Sequence, residues 1–275
     1  TDGSEYVFED STQDEPNAAI FSKDDLFIDG NGSLTVNANY RDGIASNDDL
    51  KVLNGNINVT AKEDGLRGKD SSTITNGNIT INSGFDGIKA SNDTEADKGY
   101  VLIEGGIINI TSGQDGIQGE TLVTINNGEI NINSGGGSSN GSSESTESTE
   151  EISKKGIKAG VNIIVENGKV NIDSLEDSIH SNGDITINLG EFSITSADDG
   201  IHADNIINID NGLINISKSY EGMEGKTINI KDGEVNVTSS DDGINISDPN
   251  SDSTTRGGFG TVIDGSLNIK GGKLT

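Results

Sequence analysis

The sequence contains no cysteine and no tryptophan, and it has only one methionine and two prolines in 275 residues. Without cysteine the chain can form neither a disulfide nor a zinc–thiolate site, and it has no thiol nucleophile. No apolar run approaches the ~18 residues that a membrane-spanning helix needs. The composition therefore excludes a disulfide-stapled domain and predicts no membrane-spanning segment.

Basic residues are also scarce, because 18 Lys and Arg stand against 46 Asp and Glu, for a net charge of −28. A protein of this charge repels phosphodiester backbones and anionic lipid headgroups, whereas it attracts divalent cations. We therefore expect no nucleic-acid partner. The chain begins at Thr1 rather than Met, so we interpret it as processed. Its acidic, thiol-free composition, rich in Asn, Gly, Ser and Thr, is typical of a protein that is secreted or attached to the bacterial cell surface, and we expect a monomer.

An internal repeat is the most informative feature that the sequence does contain. A triplet of an acid, a glycine and an aliphatic residue recurs at steps of 22, 22, 29, 40, 22, 22, 22 and 21 residues. A second marker, glycine followed by x-aliphatic-polar-aliphatic, keeps the same step. The triplets begin at Asp42, Asp64, Asp86, Asp115, Lys155, Asp177, Asp199, Glu221 and Asp242.

Each repeat has room for three short strands and none for a helix. Within the strands apolar residues alternate with polar ones, and Asn-Gly or Asp-Gly turns separate them. This pattern predicts an all-β fold, a parallel β-helix of about ten coils stacked ~4.8 Å apart. We expect residues 26–275 to form this single domain. Residues 1–25 carry no repeat marker and are predicted to cap its open N-terminal edge.

Departures from the period locate three insertions, at residues 91–98, 134–151 and 248–260. All three border the face that carries the acid-glycine triplet. Insertions in solenoids often mark the binding face. For residues 134–151, a Gly/Ser/Thr/Glu tract, the alternative is a disordered excursion without a role.

Stacking makes residues one repeat apart into neighbours, so side chains form columns. The column before the triplet glycine is acidic in eight of nine coils, and like charges ~5 Å apart repel by ~3 kcal/mol at a dielectric constant of 20. A column three residues later can offset this repulsion. It either forms a salt-bridge ladder without further function or pairs with sugar carboxylates. Its basic members are Arg67, Lys89, Lys158, His180 and His202.

The C-terminal half has a denser acidic group, in which Glu224 replaces the basic partner. Carboxylates on adjacent coils without counter-charge suit Ca²⁺, which takes six to eight oxygen ligands, better than the tight octahedron of Mg²⁺. We therefore predict bound Ca²⁺, and the alternative is a solvated acidic surface. The predicted ligands are Asp177, Asp198, Asp199, Glu221, Glu224, Asp241 and Asp242.

Three other features bear on ligand binding. Phe85 and Tyr220 directly precede a triplet acid and could stack on a pyranose ring. A column of Asn, Thr and Ser could bind sugar hydroxyls, but we favour an amide ladder that stabilises the stack. His180 and His202 are interpreted as members of the basic column rather than as a zinc pair, because no compact third ligand accompanies them in the sequence.

Several motifs resemble those of the clostridial secreted carbohydrate-binding β-helix family. They are Asp-Asp-Gly-Ile at residues 198–201 and 241–244, Asp-Gly-Ile-Lys-Ala at 86–90, and the Asn-Gly-x-Ile-Asn-Ile strands. The resemblance covers residues 26–275. It implies a right-handed, calcium-containing parallel β-helix similar to pectate lyases, which binds cellulose and acidic pectic sugars such as polygalacturonate.

The calcium-dependent lyases of this fold carry a further acid three residues after the second Asp of the motif. This chain has His202 and Asn245 at those places. We therefore expect calcium-dependent binding of polysaccharide without cleavage. One alternative is a pectate lyase in which Lys158 or Arg67 serves as the base. Another is a surface adhesin or scaffold, which predicts no saturable sugar binding.

Overall fold

A computed structural model describes residues 18–141, 152–247 and 265–275 of the chain. These residues form 28 β-strands, numbered β1 to β28 in chain order. The strands pair in parallel between successive coils, which confirms the predicted solenoid. Within the described ranges there is no helix, and hence none that could cross a membrane.

Each coil contributes one strand to each of three faces. The first face carries the acid-glycine triplet. It consists of β1 (Ala18–Ser22), β4 (Asp42–Ser46), β7 (Leu66–Gly68), β10 (Ile88–Ala90), β13 (Ile117–Gly119), β16 (Ile157–Ala159), β19 (Ile179–Ser181), the first parts of β22 (Ile201–Ile209) and β24 (Met223–Ile230), and β26 (Ile244–Ile246).

The second face follows it in every coil, and β22 and β24 run through the corner between the two. Its strands are β2 (Leu26–Ile28), β5 (Asp49–Val52), β8 (Ser71–Ile74), β11 (Tyr100–Ile103), β14 (Leu122–Ile125), β17 (Asn162–Val165), β20 (Asp184–Ile187), the last parts of β22 and β24, and β27 (Ser266–Ile269).

The third face is a separate sheet of 10 strands, so the described residues build ten coils, as the repeat predicts. Its strands are β3 (Ser33–Ala38), β6 (Asn56–Ala61), β9 (Asn78–Ser83), β12 (Ile107–Ser112), β15 (Glu129–Ser134), β18 (Lys169–Ser174), β21 (Glu191–Ser196), β23 (Leu213–Lys218), β25 (Glu234–Val237) and β28 (Lys273–Leu274).

The core is one continuous stack of aliphatic side chains. In β9, for example, Ile79 and Ile81 are buried while Thr80 between them is exposed. The two isoleucines align with Ile108 and Ile110 of the next coil. Full burial of an aliphatic side chain contributes about 1.5–3 kcal/mol, and the alternation repeats from coil to coil, so this stack is the main source of stability.

The register confirms the predicted columns. Lys89 pairs with Gln118, and Gln118 pairs with Lys158 of the coil after it. His180 pairs with His202, and His202 pairs with Glu224. The basic column predicted from the sequence is therefore a physical row of neighbouring side chains on the first face.

Two classes of glycine occupy the corners for different reasons. Glycines that precede third-face strands have positive φ, such as 121° at Gly77 and 135° at Gly190. The triplet glycines do not have positive φ, although the acid-glycine pairs in the sequence suggest a turn conformation closed to side chains. Instead they allow close packing, because a Cβ atom on Gly200 would lie 2.6 Å from the Gly222 carbonyl oxygen.

The predicted cap falls mostly on residues 1–17, which lie outside the described residues. Residues 18–22 form β1, which pairs with β4 through Ile20 and Ile44. The insertion at residues 91–98 leads from the first face to the second, and Lys98 at its end pairs with Asp70 at 2.8 Å. Residues 142–151 of the second insertion and all of the third, residues 248–260, lie outside the described ranges.

Candidate functional site

The acids of the triplet form a buried ladder. In six triplet aspartates the Oδ1 atom accepts a hydrogen bond from the backbone N–H of the residue at the same position in the next coil. The pairs are Asp42 with Asp64 (3.1 Å), Asp64 with Asp86 (3.1 Å), Asp86 with Asp115 (3.0 Å), Asp115 with Lys155 (2.7 Å), Asp177 with Asp199 (3.2 Å) and Asp199 with Glu221 (3.2 Å).

Sequence reasoning missed this structural role of the acidic column. A signal was present, since the column is almost always Asp and rarely Glu, and a short side chain is needed to reach the neighbouring backbone. A buried N–H without an acceptor costs about 1–3 kcal/mol. One oxygen of each ladder carboxylate therefore accepts a backbone N–H, and Oδ2 is the oxygen that the ladder leaves for other contacts.

The basic column supplies counter-ions to these buried carboxylates. Isolated buried charges are costly, so each needs a partner. The pairs are Arg67 with Asp42 (3.2 Å), Lys89 with Asp86 (2.7 Å), Lys158 with Asp115 (3.8 Å), His180 with Asp177 (2.8 Å) and His202 with Asp199 (3.3 Å). These pairs agree with the interpretation of the column as a salt-bridge ladder. The role of the same side chains in sugar binding stays a prediction.

Two ladder acids are less well compensated. Burial, together with the charge of Asp86, raises the pKa of Asp64 to about 7. The same two causes raise the pKa of Asp115 to about 6. The N-terminal half of the ladder thus contains carboxyl groups whose charge the fold disfavours.

Lys155 takes the place of an acid in one coil and changes the electrostatics around it. Its Nζ atom lies 3.2 Å from Asp177 Oδ2 and 3.3 Å from Glu176 Oε2. Burial alone would raise the pKa of Asp177, but Lys155 and the hydrogen bond with His180 hold it well below its usual value. The expectation that the C-terminal acids lack counter-charge is therefore wrong for Asp177.

The two histidines converge on the same carboxylate. His180 Nδ1 lies 2.8 Å from Asp177 Oδ2, and His202 Nδ1 lies 3.9 Å from that oxygen and 3.7 Å from Glu224 Oε2. Burial alone would lower the pKa of His202, but the hydrogen bond with Asp199 and the charges of Asp177 and Glu224 raise it to about 9. The carboxylates around this imidazole therefore favour its protonated form.

Two groups of carboxylates contain six of the seven predicted calcium ligands, and Glu224 lies with Asp199 and His202 instead. Asp177, Asp198 and Asp199 each place one oxygen within 4.8 Å of the others. Burial and the charge of Asp177 raise the pKa of Asp198 to about 6. Burial also raises the pKa of Asp199, to about 8, although the hydrogen bond with His202 opposes the shift.

The second group consists of Glu221, Asp241 and Asp242, whose oxygens also lie within 4.8 Å of one another. Glu221 is buried and the two aspartates are exposed. The Asn245 amide donates to both Glu221 oxygens, at 3.0 and 2.9 Å. Burial, followed by Glu224 and Asp242, raises the pKa of Glu221 to about 7, so a cation placed here would relieve mutual repulsion.

The two aromatic candidates are far apart. Phe85 is 40% exposed and lies in the same column as Tyr220, five coils away, or about 24 Å at the spacing of adjacent strands. Tyr220 is bound to Asp241, and this hydrogen bond raises the pKa of its hydroxyl. They cannot stack on one sugar ring, and only Tyr220 borders the acidic groups.

The Asn and Thr column lines a groove of about 470 Å³ on the third face. Within it, Asn131 donates its side-chain amide to Asn109 at 3.0 Å, and Asn171 donates to Asn131 at 2.7 Å. These bonds agree with the amide-ladder interpretation. The groove therefore lies on a different face from the acidic ladder and the basic column, which are on the first face.

The fold and the first face define a parallel β-solenoid with an extended charged surface along its stack. The chain belongs to the carbohydrate-binding domain-containing protein family, whose model matches residues 1–200 and 196–274. This finding confirms the resemblance inferred from the repeated motifs.

Two similar proteins come from one organism. A carbohydrate-binding domain-containing protein of Acetivibrio thermocellus is 54% identical over 61 residues, which are 22% of this chain and 21% of that protein. The chain thus matches about a fifth of this relative. The solved polysaccharide lyase-like protein from C. thermocellum, a gadolinium derivative, is 50% identical and has a TM-score of 0.46, covering 48% of this chain and 53% of that one.

Proposed function

We propose that this protein binds acidic plant polysaccharides such as polygalacturonate through Ca²⁺ on the first face, without cleaving them. The observation that carries the proposal is the convergence of Glu221, Asp241 and Asp242 within 4.8 Å, in a chain of a carbohydrate-binding family. A protein of net charge −28 repels a polyanion. Bound cations or the basic column must therefore supply the attraction.

The geometry of this group suits a shared ion. Ca²⁺ needs six to eight oxygens, and three carboxylates leave several positions for sugar carboxylates, hydroxyls and water. Asp241 and Asp242 are exposed, so a bound ion would remain accessible to an extended polymer. Asp198, Asp199 and Glu224 extend the acidic surface to neighbouring coils, whereas Asp177 is already engaged by Lys155.

The basic column provides a second source of attraction. The side chains of Arg67, Lys89 and Lys158 are 32%, 23% and 26% exposed, although each is paired with a buried acid. Their remaining N–H donors face solvent along one row, and the guanidinium of Arg67 suits bidentate pairing with a carboxylate. A uronate chain lying along the solenoid axis would contact this row and the calcium group together.

Removal of calcium is expected to lower the melting temperature. A ligand that binds only the folded state contributes RT ln(1 + [L]/Kd), and its loss restores repulsion around Glu221. The measurement is a thermal melt with and without excess chelator, combined with elemental analysis. Glu221→Gln with Asp241→Asn should abolish the chelator effect. An unchanged wild-type melt together with absence of metal would refute the calcium site.

Substitution of two cations should weaken polymer binding. We expect Lys89→Ala with Lys158→Ala to reduce polygalacturonate affinity about tenfold, while Lys169→Ala with Lys273→Ala, on the third face, removes the same charge with little effect. Titration calorimetry measures both, at a temperature where each variant is folded. Added salt should weaken binding if the lysines dominate, and chelator should abolish it if Ca²⁺ does.

The same titrations separate the alternatives. Equal affinities of the two double variants, with no effect of chelator, would favour the scaffold interpretation. Growth of the absorbance of unsaturated uronides during incubation would identify a lyase, and we expect none. Cellulose, a neutral glucan, would bind by hydrogen bonds to hydroxyls, for which the Asn-lined groove of the third face is the better candidate, so the lysine variants should retain it.

A further inference from the structure

The four side chains Asp177, His180, Asp199 and His202 form a cluster with different chemistry from the all-oxygen group at Glu221. One ligand atom each of Asp177, His180 and His202 lies within 4.8 Å of the others. Imidazole nitrogen is a ligand of Zn²⁺, Ni²⁺ and Cu²⁺, whereas Ca²⁺ takes oxygen. From this juxtaposition we infer that the first face holds a transition-metal site of the Zn²⁺ type, separate from the calcium group.

The separations fit a four-coordinate ion. Zinc bonds of 2.0–2.2 Å in a tetrahedron place ligand atoms about 3.3 Å apart. Here Asp177 Oδ2 lies 2.8 Å from His180 Nδ1 and 3.9 Å from His202 Nδ1. Asp199 Oδ2 lies 3.3 Å from His202 Nδ1, and we take this carboxylate as the candidate for the fourth ligand of the proposed site. Small side-chain rotations on rigid strands would suffice to complete the geometry.

The outer nitrogen of His180 has the partner that a metal-binding histidine needs. His180 Nε2 lies 3.0 Å from Asn182 Oδ1, whereas His202 Nε2 lies 3.6 Å from Asp204 Oδ1, which is an ion-pair distance and too long for a hydrogen bond. To bind a metal, each Nδ1 atom must release the proton that it donates to its aspartate, and an oxygen partner at Nε2 then holds the remaining ring proton on that outer nitrogen. This contact of His180 is independent of the distances among the ligands, and it is compatible with a metal-bound imidazole.

Coil stacking explains why two imidazoles can share an ion. His180 and His202 occupy the same column in consecutive coils, and their ring centroids are 4.8 Å apart. Their Nδ1 atoms converge on Asp177 from two levels of the stack. A metal bound between the two imidazoles would cross-link these two coils through side chains. In the basic column these side chains otherwise contact the triplet acids as ion pairs.

Lys155 is the main competitor for Asp177. Its Nζ atom contacts Asp177 Oδ2 at 3.2 Å, but Glu176 Oε2 at 3.3 Å offers an alternative partner. The lysine can therefore stay paired when a metal takes Asp177. Its positive charge must weaken metal affinity, so Lys155→Gln should tighten metal binding.

The test is calorimetric titration of the full chain, free of any polyhistidine tag, with Zn²⁺ in the presence of excess Ca²⁺. We expect one zinc ion per chain at this site, and Co²⁺ in its place should show the visible absorption of a four-coordinate ion with nitrogen ligands. His180→Gln with His202→Gln should lower the affinity at least 100-fold. Asn182→Ala, an exposed and structurally mild change, should lower it about 10–100-fold.

The matched control is Glu221→Gln with Asp241→Asn, which removes the calcium group and should leave zinc affinity unchanged. Absence of zinc binding by the wild-type protein would overturn the inference. So would zinc affinity that the histidine and Asn182 variants leave unchanged. Because no polysaccharide is involved, failure of calcium-dependent sugar binding would leave this result standing, and the reverse also holds.

Discussion

Gly200→Val is expected to destabilise the solenoid by about 3 kcal/mol or more, since overpacking a close-packed interior typically costs 1–3 kcal/mol. A Cβ atom at this position would lie 2.6 Å from the Gly222 carbonyl oxygen and 2.8 Å from Ile216 Cδ1. Neither the backbone of the next coil nor the buried isoleucine can retreat without disturbing the parallel ladder. The measurement is urea denaturation followed by circular dichroism.

Ser178→Gly is the matched control, because residue 178 holds the same position one coil earlier. Ser178 Oγ lies 2.8 Å from Ser174 Oγ and 3.3 Å from the Thr195 carbonyl oxygen. Loss of these bonds is expected to cost about 1 kcal/mol. Equal midpoints for the two variants would show that close approach at the triplet glycine does not limit stability.

Asp64→Asn is expected to stabilise the protein above neutral pH. The folded-state pKa of Asp64 is raised to about 7, above the ~3.9 of an exposed aspartate. The unfolded state therefore ionises first, and the wild-type protein loses stability as pH rises from about 4 to 7. Asparagine retains the Oδ1 acceptor for the Asp86 N–H and removes the charge.

We expect the variant to gain about 2–4 kcal/mol at pH 8, because each pKa unit corresponds to about 1.4 kcal/mol, and to match the wild type near pH 4. Urea denaturation at a series of pH values tests this. Asp86→Asn is the contrasting variant, since it leaves Lys89, 2.7 Å from Asp86 Oδ2, without its partner. It should destabilise at pH 8. A wild-type advantage over Asp64→Asn at pH 8 would contradict the prediction.

The period, the strand pattern and the columns could be predicted because a solenoid converts sequence spacing into spatial neighbourhood. Residues one repeat apart must stack, so Lys158, His180 and His202 form one row whatever the details of the coil. The role of each column could not be predicted in the same way. It depends on whether a side chain at a corner points to solvent or toward the backbone of the next coil. The alternation of apolar and polar residues within a strand does not specify that direction.

The sequence by itself determined a ten-coil parallel solenoid, its three faces and the identity of the residues along each row, because each repeat of about 22 residues holds three short strands and no helix, and the period sets which residues stack. Only the tertiary structure decided that the aspartates are buried and accept backbone N–H groups, as Asp86 does from Asp115. It also decided that Asp177 and Asp199 lie close to His180 and His202. The physical reason is that the bend of the backbone at each corner sets the direction of the side chains there. The distances between the aspartate oxygens and the histidine nitrogens follow from that direction.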